Sequence, residues 1–296
     1  MNNIKELIKL NSTIVENSLK KIYPTSSENK LIDSMSYSLY AGGKRLRPFI
    51  TIEVYKAFAK ANDIEKAIPF ACALEMIQTY SLIHDDLPCM DNDDYRRGKP
   101  TNHKVYGEAE ALLAGDSLLT QAFEVIASNE MVSDKSVRLA IKCLSSCAGV
   151  YGMAGGQMID LNSDNIKSYE DLKHMHALKT GALIKCASLL GYYAFTDKPD
   201  ERIESLLSSF GESLGVAFQI RDDILDVISN SADLGKPVGS DDKNGKITSL
   251  TFLSLDEARA EVEKHTAKAL EAITNCLGEK ATALVELAKY LIEREK

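Results

Sequence analysis

Five carboxylates, Asp85, Asp86, Asp91, Asp93 and Asp94, fall within ten residues at the end of an apolar segment, and Arg96 and Arg97 follow at once. Charges packed this closely repel one another, so some must keep protons or share a cation. A solvated acidic loop is the plain alternative. However, the stretch that feeds the cluster, Pro69–Ile77, reads as a buried helix, and a buried helix that delivers its end into stacked carboxylates favours a metal site. All-oxygen ligands suit hard cations such as Mg²⁺, Mn²⁺ or Ca²⁺ rather than zinc. A calcium EF-hand loop starting at Asp91 fails, because Arg96 stands where glycine is required and Asn102 where the bidentate glutamate belongs. Magnesium is the expected ion, with manganese able to replace it.

The rest of the chain shows helical periodicity nearly throughout and almost no strand signal. Helices are expected over residues 2–22, 27–40, 48–61, 64–84, 107–129, 134–161, 169–195, from Pro199 to about 230, over 255–276, and after Gly278. Gly42-Gly43 stops the second of these, and Pro48 suits a first helical turn. Ser168 and the Ser254–Glu257 capping box open two more. No repeat or long linker interrupts the chain. One all-α domain over residues 1–296 is the expectation. Gly211 and Gly215, four apart in an apolar helix, predict close approach of a neighbouring helix. Gly181 would instead loosen the backbone so that Lys179 and Thr180 reach a ligand.

With 43 acidic and 35 basic residues the net charge is −8, which argues against a general nucleic-acid binder. No apolar run approaches the roughly 20 residues needed to span a bilayer. The N-terminus lacks the apolar region of a signal peptide, and the six cysteines form no CxxC pair. Cys143 and Cys147, one turn apart, read as core packing. A cytoplasmic protein with reduced thiols is expected.

A second acidic cluster, Asp222, Asp223 and Asp226, follows Gln219 and Arg221. On a helix, Asp222 and Asp226 are neighbours of like charge, a placement that packing alone does not favour. Carboxylates that hold Mg²⁺ can bind an anionic substrate if phosphate oxygens complete the coordination. Bases should then stand nearby. The chain offers Gly42-Gly43-Lys44-Arg45-Leu46-Arg47-Pro48, Arg96-Arg97-Gly98-Lys99, Lys179-Thr180, Lys236 and Lys246. Arginine's planar fork suits phosphate oxygens especially well.

In order along nearly the whole chain, these motifs resemble those of the trans-isoprenyl diphosphate synthases. The resemblance implies an isoprenoid synthase fold, a helical bundle around a central cavity, usually homodimeric, with the two aspartate motifs facing each other. It implies three Mg²⁺ held by Asp85, Asp86 and Asp91 on one side and mainly Asp222, with Asp223 and Asp226, on the other. The implied reaction condenses isopentenyl diphosphate with an allylic diphosphate, dimethylallyl or geranyl. By resemblance, Arg96, Lys179, Thr180, Gln219, Lys236 and Lys246 serve the allylic partner. Lys44, Arg47, Gln78 and Arg97 hold isopentenyl diphosphate, with Gln78 where bacterial relatives commonly carry histidine. A glycine-punctuated loop over 232–247 would close on substrate.

Product length is expected to depend on the side chains just before the first motif. Ser81 lies about 6 Å and Tyr80 about 7.5 Å back from Asp85 along a helix. Tyr80 would block a growing tail, and with the extra pair Cys89-Met90 the pattern is most like bacterial-type farnesyl diphosphate synthases. Cys89–Asp94 also resembles geranylgeranyl diphosphate synthases, the alternative. A class I terpene cyclase would not need Lys44 and Arg47. An inactive synthase subunit should lack a metal ligand, and none is missing. A metal-binding structural protein would leave the bases unexplained.

Overall fold

The computed structural model describes residues 2–23, 28–59, 64–234 and 247–293. Helices dominate, as the periodicity predicts. The helices α1 (Asn2–Ile22), α2 (Lys30–Leu39), α3 (Leu46–Ala59) and α4 (Ile68–Asp85) come first. A two-residue hairpin follows, β1 (Tyr95–Arg96) with β2 (Lys99–Pro100), antiparallel with Arg96 opposite Lys99. Then come α5 (Asn102–Tyr106), α6 (Glu108–Ala127), α7 (Asp134–Ala148), α8 (Met153–Leu161) and α9 (Tyr169–His176). A π-helical turn, Ala177–Gly181, leads into α10 (Ala182–Phe195). The long α11 (Glu201–Leu234), a short α12 (Ser249–Phe252), α13 (Leu255–Leu277) and α14 (Thr282–Glu293) complete the series.

The helix expected over 134–161 is broken at Gly149–Gly152, giving α7 and α8. The cause is local: a Cβ at Gly152 would stand 2.0 Å from the Cys147 carbonyl oxygen, so the chain turns where only glycine fits. The predicted caps are present. The Ser168 side chain accepts from the Asp171 N–H, and Ser254 and Glu257 make a reciprocal capping box. Pro48 is the third residue of α3 rather than the first, still within the turn whose N–H groups have no helical partner.

The chain divides into two compact units. One gathers Asn2–Cys143 with Leu189–Pro199, the other Leu144–Ser188 with Asp200–Lys296. In the first unit α4 is the central helix, packed chiefly on α6 and α3. Every residue from Phe70 to Ile77 is buried, so α4 is apolar all round rather than amphipathic. In the second unit α11 packs on α13 and on the π turn. Gly215 makes that contact possible, because a Cβ there would lie 2.4 Å from the Gly181 Cα. Close helix approach at Gly211 and Gly215 is therefore what the structure shows. Among the described residues, no helix is long and apolar enough to cross a membrane.

Candidate active site

The end of α4 shapes the first acidic motif. Asp86 caps the helix, and the chain folds back so that the Asp91 N–H donates to the Asp85 carbonyl over 2.8 Å. Asn92, with φ of +54°, takes the left-handed conformation that asparagine tolerates. Asp85 is half-buried, Asp86 buried, and Asp91 exposed. Arg96 donates from Nε to Asp86 over 2.6 Å and from a terminal nitrogen to Asp93 over 3.1 Å. Burial still dominates at Asp86 and pushes its carboxyl up to about 6; Arg96 opposes this, while Asp93 and Asp91 add to it. A buried carboxyl that resists ionisation beside other carboxylates fits a missing cation. The donor set is all oxygen, as Mg²⁺ prefers.

Next to this motif stands a cluster of arginines. Arg97 and Gly98 both have positive φ, as the tight turn of a hairpin requires. The Arg97 guanidinium donates to the Gly42 carbonyl. Gly43, at φ of +124°, lets it lie there, since a Cβ would meet the Arg97 Cζ at 2.8 Å. Lys44 is exposed. Arg45, which the sequence analysis left without a role, is the buried member. Its guanidinium donates to the Glu75 carboxylate and the Leu39 carbonyl, with Glu16 at 3.4 Å. The signal was a lone carboxylate in the apolar run of α4, which must find a partner when buried.

Arg47 has no such partner. Its Nε is buried without a hydrogen bond, and so is the Gln78 Oε1 one turn beyond Glu75. Burial pushes Arg47 down to about 10, with Glu75 opposing and Arg97 assisting the fall. Arg97, exposed as a residue, is also lowered, first by desolvation of its guanidinium. Buried cation donors and an orphan amide, which can be turned to present its N–H, make a site that calls for an anion.

Farther back on α4, Tyr80 is half-buried and Ser81 buried. The Ser81 hydroxyl donates to the Gln78 carbonyl over 3.0 Å, so it is turned back on its own helix. Burial and then Asp85 push the Tyr80 phenol up.

The second unit carries the other motif. Lys179 and Thr180 lie on the π turn, a distortion frequent at functional sites. Thr180 Oγ1 donates to Gln219 over 2.5 Å, and Lys179 Nζ pairs with Asp160 at 2.5 Å. Asp160 ends the run Gly155-Gly156-Gln157, which the sequence analysis passed over. The paired glycines inside a helix were the available signal. A Cβ at Gly156 would lie 2.3 Å from the Lys179 nitrogen, so α8 presses directly on the π turn. Both amide atoms of Gln157 are buried without hydrogen bonds.

On α11, Asp222 is half-buried and Asp226 exposed. Asp223 accepts from the Ser249 N–H over 2.7 Å and from its hydroxyl over 2.6 Å. It thereby ties α12 to α11. Lys236, Lys246 and most of the 232–247 loop lie outside the described residues.

Residues 28–287 match the family model described as polyprenyl synthetase. The chain belongs to the polyprenyl synthetase family. It is 46% identical over 271 residues to a farnesyl diphosphate synthase of Bacillus subtilis, covering 90% of each chain. It is also 44% identical over 269 residues to a chloroplastic geranylgeranyl pyrophosphate synthase of Catharanthus roseus, covering 90% of this chain and 74% of that one. A geranylgeranyl pyrophosphate synthetase structure from Pyrococcus horikoshii superposes with a TM-score of 0.87 at 31% identity, covering 99% of both chains. The all-helical fold is thus that of the polyprenyl synthetases. The chain is a short-chain trans-prenyl diphosphate synthase, and relatives of both product lengths stand at similar identity.

Proposed function

We propose that this polyprenyl synthetase condenses isopentenyl diphosphate with dimethylallyl and then geranyl diphosphate, and stops at farnesyl diphosphate. The observation that carries the two-substrate part is the buried, unpartnered Nε of Arg47 beside the Glu75 and Arg97 charges. A class I cyclase, with one diphosphate to hold, would have no use for this second anion site. Lys44, Arg47, Gln78 and Arg97 are assigned to isopentenyl diphosphate, and Arg96, Lys179, Thr180 and Gln219 to the allylic partner. Mg²⁺, three ions by the pattern of the family, would be held by Asp85, Asp86 and Asp91 and by Asp222, with Asp223 and Asp226 in support, and would neutralise the departing diphosphate.

The remaining work falls to the chain. The C–O bond of the allylic diphosphate breaks with its electron pair leaving on oxygen, and cationic donors stabilise that charge where it develops. Lys179, fixed by Asp160, is one such donor. The arginine site aligns the double bond of isopentenyl diphosphate to trap the carbocation, an orientation effect. The final proton passes to the released diphosphate, so no dedicated base is required. His84 is not assigned that task, because its Nε2 lies 3.0 Å from the Leu112 carbonyl and must carry the hydrogen there.

Farnesyl length is assigned from Tyr80, whose aromatic ring stands about 7.5 Å along α4 behind Asp85. Geranylgeranyl diphosphate is the second reading, favoured by the similar identity of such synthases. A homodimer is proposed with it; Leu112 and Leu113 expose apolar side chains on α6, and a monomer mass by light scattering would remove it. Labelled isopentenyl diphosphate with each allylic primer and Mg²⁺, followed by product sizing, tests the whole. A C15 main product is expected. A C20 main product would overturn the farnesyl assignment, and no prenyl product with any primer would overturn the synthase.

A further inference from the structure

His84 carries no task in the chemistry above, yet it is among the most firmly seated side chains near the first motif. Three contacts in the first unit fix it. Its Nε2–H donates to the Leu112 carbonyl of α6 over 3.0 Å, which sets the tautomer. Its ring lies directly on α6 at Gly115, where a Cβ would stand 2.1 Å from Nε2 and 2.4 Å from Cδ2. Its other side meets Tyr80, one turn back on α4, with ring centroids 5.7 Å apart and planes at 76°. That is the edge-to-face geometry aromatic rings prefer.

The arrangement runs α6 backbone, imidazole, phenol ring. A glycine buried inside α6 is unfavourable relative to alanine unless something needs the space, and here the imidazole fills it. Tyr80 itself is joined to α4 by rotatable bonds, so its ring needs lateral support to hold one attitude. We propose that His84, seated on Gly115, is a positioning residue that fixes the Tyr80 ring and through it the length of the product. The inference rests on the proposed role of Tyr80 as the floor for the growing tail.

The test uses the purified full chain with Mg²⁺, isopentenyl diphosphate and either geranyl or farnesyl diphosphate as primer. The quantity read is the ratio of C20 to C15 formed, which does not depend on how much active enzyme survives substitution. Tyr80→Ala should raise this ratio most, by tenfold or more. His84→Ala should raise it at least threefold. Gly115→Ala, which evicts the imidazole without touching α4, should move it in the same direction, and thermal melting separates that change from misfolding. In a Tyr80→Ala background, adding His84→Ala should leave the ratio unchanged, because the supported ring is gone.

If Tyr80→Ala raises the ratio while His84→Ala and Gly115→Ala do not, His84 is a packing residue and the inference falls alone. A further rise on adding His84→Ala to Tyr80→Ala would show that His84 meets the tail directly, which also overturns it. An unchanged ratio in Tyr80→Ala would remove the floor and the inference together, leaving the synthase assignment intact.

Discussion

The first acidic motif sits past the end of a buried helix, in a loop folded back on itself, whereas the second lies within a continuous helix of 34 residues. In the first, Asp86 is buried and clamped by Arg96 at 2.6 Å. In the second, Asp223 is clamped instead by Ser249, at the start of α12. Each motif therefore devotes one carboxylate to contacts within its own unit. They differ in what that carboxylate does: Asp86 is tuned by a neighbouring cation, and Asp223 holds a short helix in place. A count of aspartates does not give a count of metal ligands.

The comparison is most easily broken at the carboxylates assigned to metal in both motifs. Asp85→Ala and Asp222→Ala should each lower kcat by about 10³-fold, corresponding to several kcal/mol of lost charge stabilisation. Steady-state kinetics at saturating Mg²⁺ check this, and a mild effect at either position would remove that motif from the metal site.

An intermediate effect is expected from Arg96. In the metal-free protein Asp86 holds its proton up to about 6, above its unfolded value of 3.8. The stability this proton confers is complete below the unfolded value and is lost as pH rises through about 6. Mg²⁺ must displace the same proton, so its half-saturating concentration should fall as pH rises across that range. Because Arg96 lowers the Asp86 pKa, Arg96→Gln should move the dependence to higher pH and weaken Mg²⁺ by roughly tenfold to a hundredfold near neutrality. Titrations of activity with Mg²⁺ between pH 5 and about 8, the span in which such a carboxyl ionises, would reveal a flat profile if Asp86 is not a ligand.

The smallest effect should be at Asp223. Asp223→Asn keeps one acceptor for Ser249 but weakens a charge-assisted contact, and should cost about 1 kcal/mol of stability with little change in kcat. Thermal melting beside kinetics decides it. A loss of kcat comparable to that at Asp222 would make Asp223 a ligand in its own right.

Much of this organisation was legible from the chain. Helical periodicity, the Ser168 cap and the Ser254–Glu257 capping box mark element ends because they reflect local hydrogen bonding. The two acidic motifs and their neighbouring bases stood out because like charges crowd only for a reason. What escaped depended on tertiary packing. The π turn at Ala177–Gly181 has the same apolar pattern as an α-helix and reveals itself only through the contact of Gly156 and Gly215 with its backbone. The helices α5 and α12 are too short for any period to register. Arg45 looked like one more phosphate ligand until its burial with Glu75 was seen. Asp160 gave no signal of its own, since the partner that explains it, Lys179, lies 19 residues away.

The central claim is that the allylic diphosphate is held through metal by the aspartates of both motifs. Calorimetric binding of a non-ionising thio analogue of geranyl diphosphate tests it directly, in wild type and in Asp85→Ala and Asp222→Ala. Tight binding that requires Mg²⁺, and that is lost in both variants, is the predicted result. Binding of equal strength in the presence of a chelator, or binding untouched by either substitution, would contradict it.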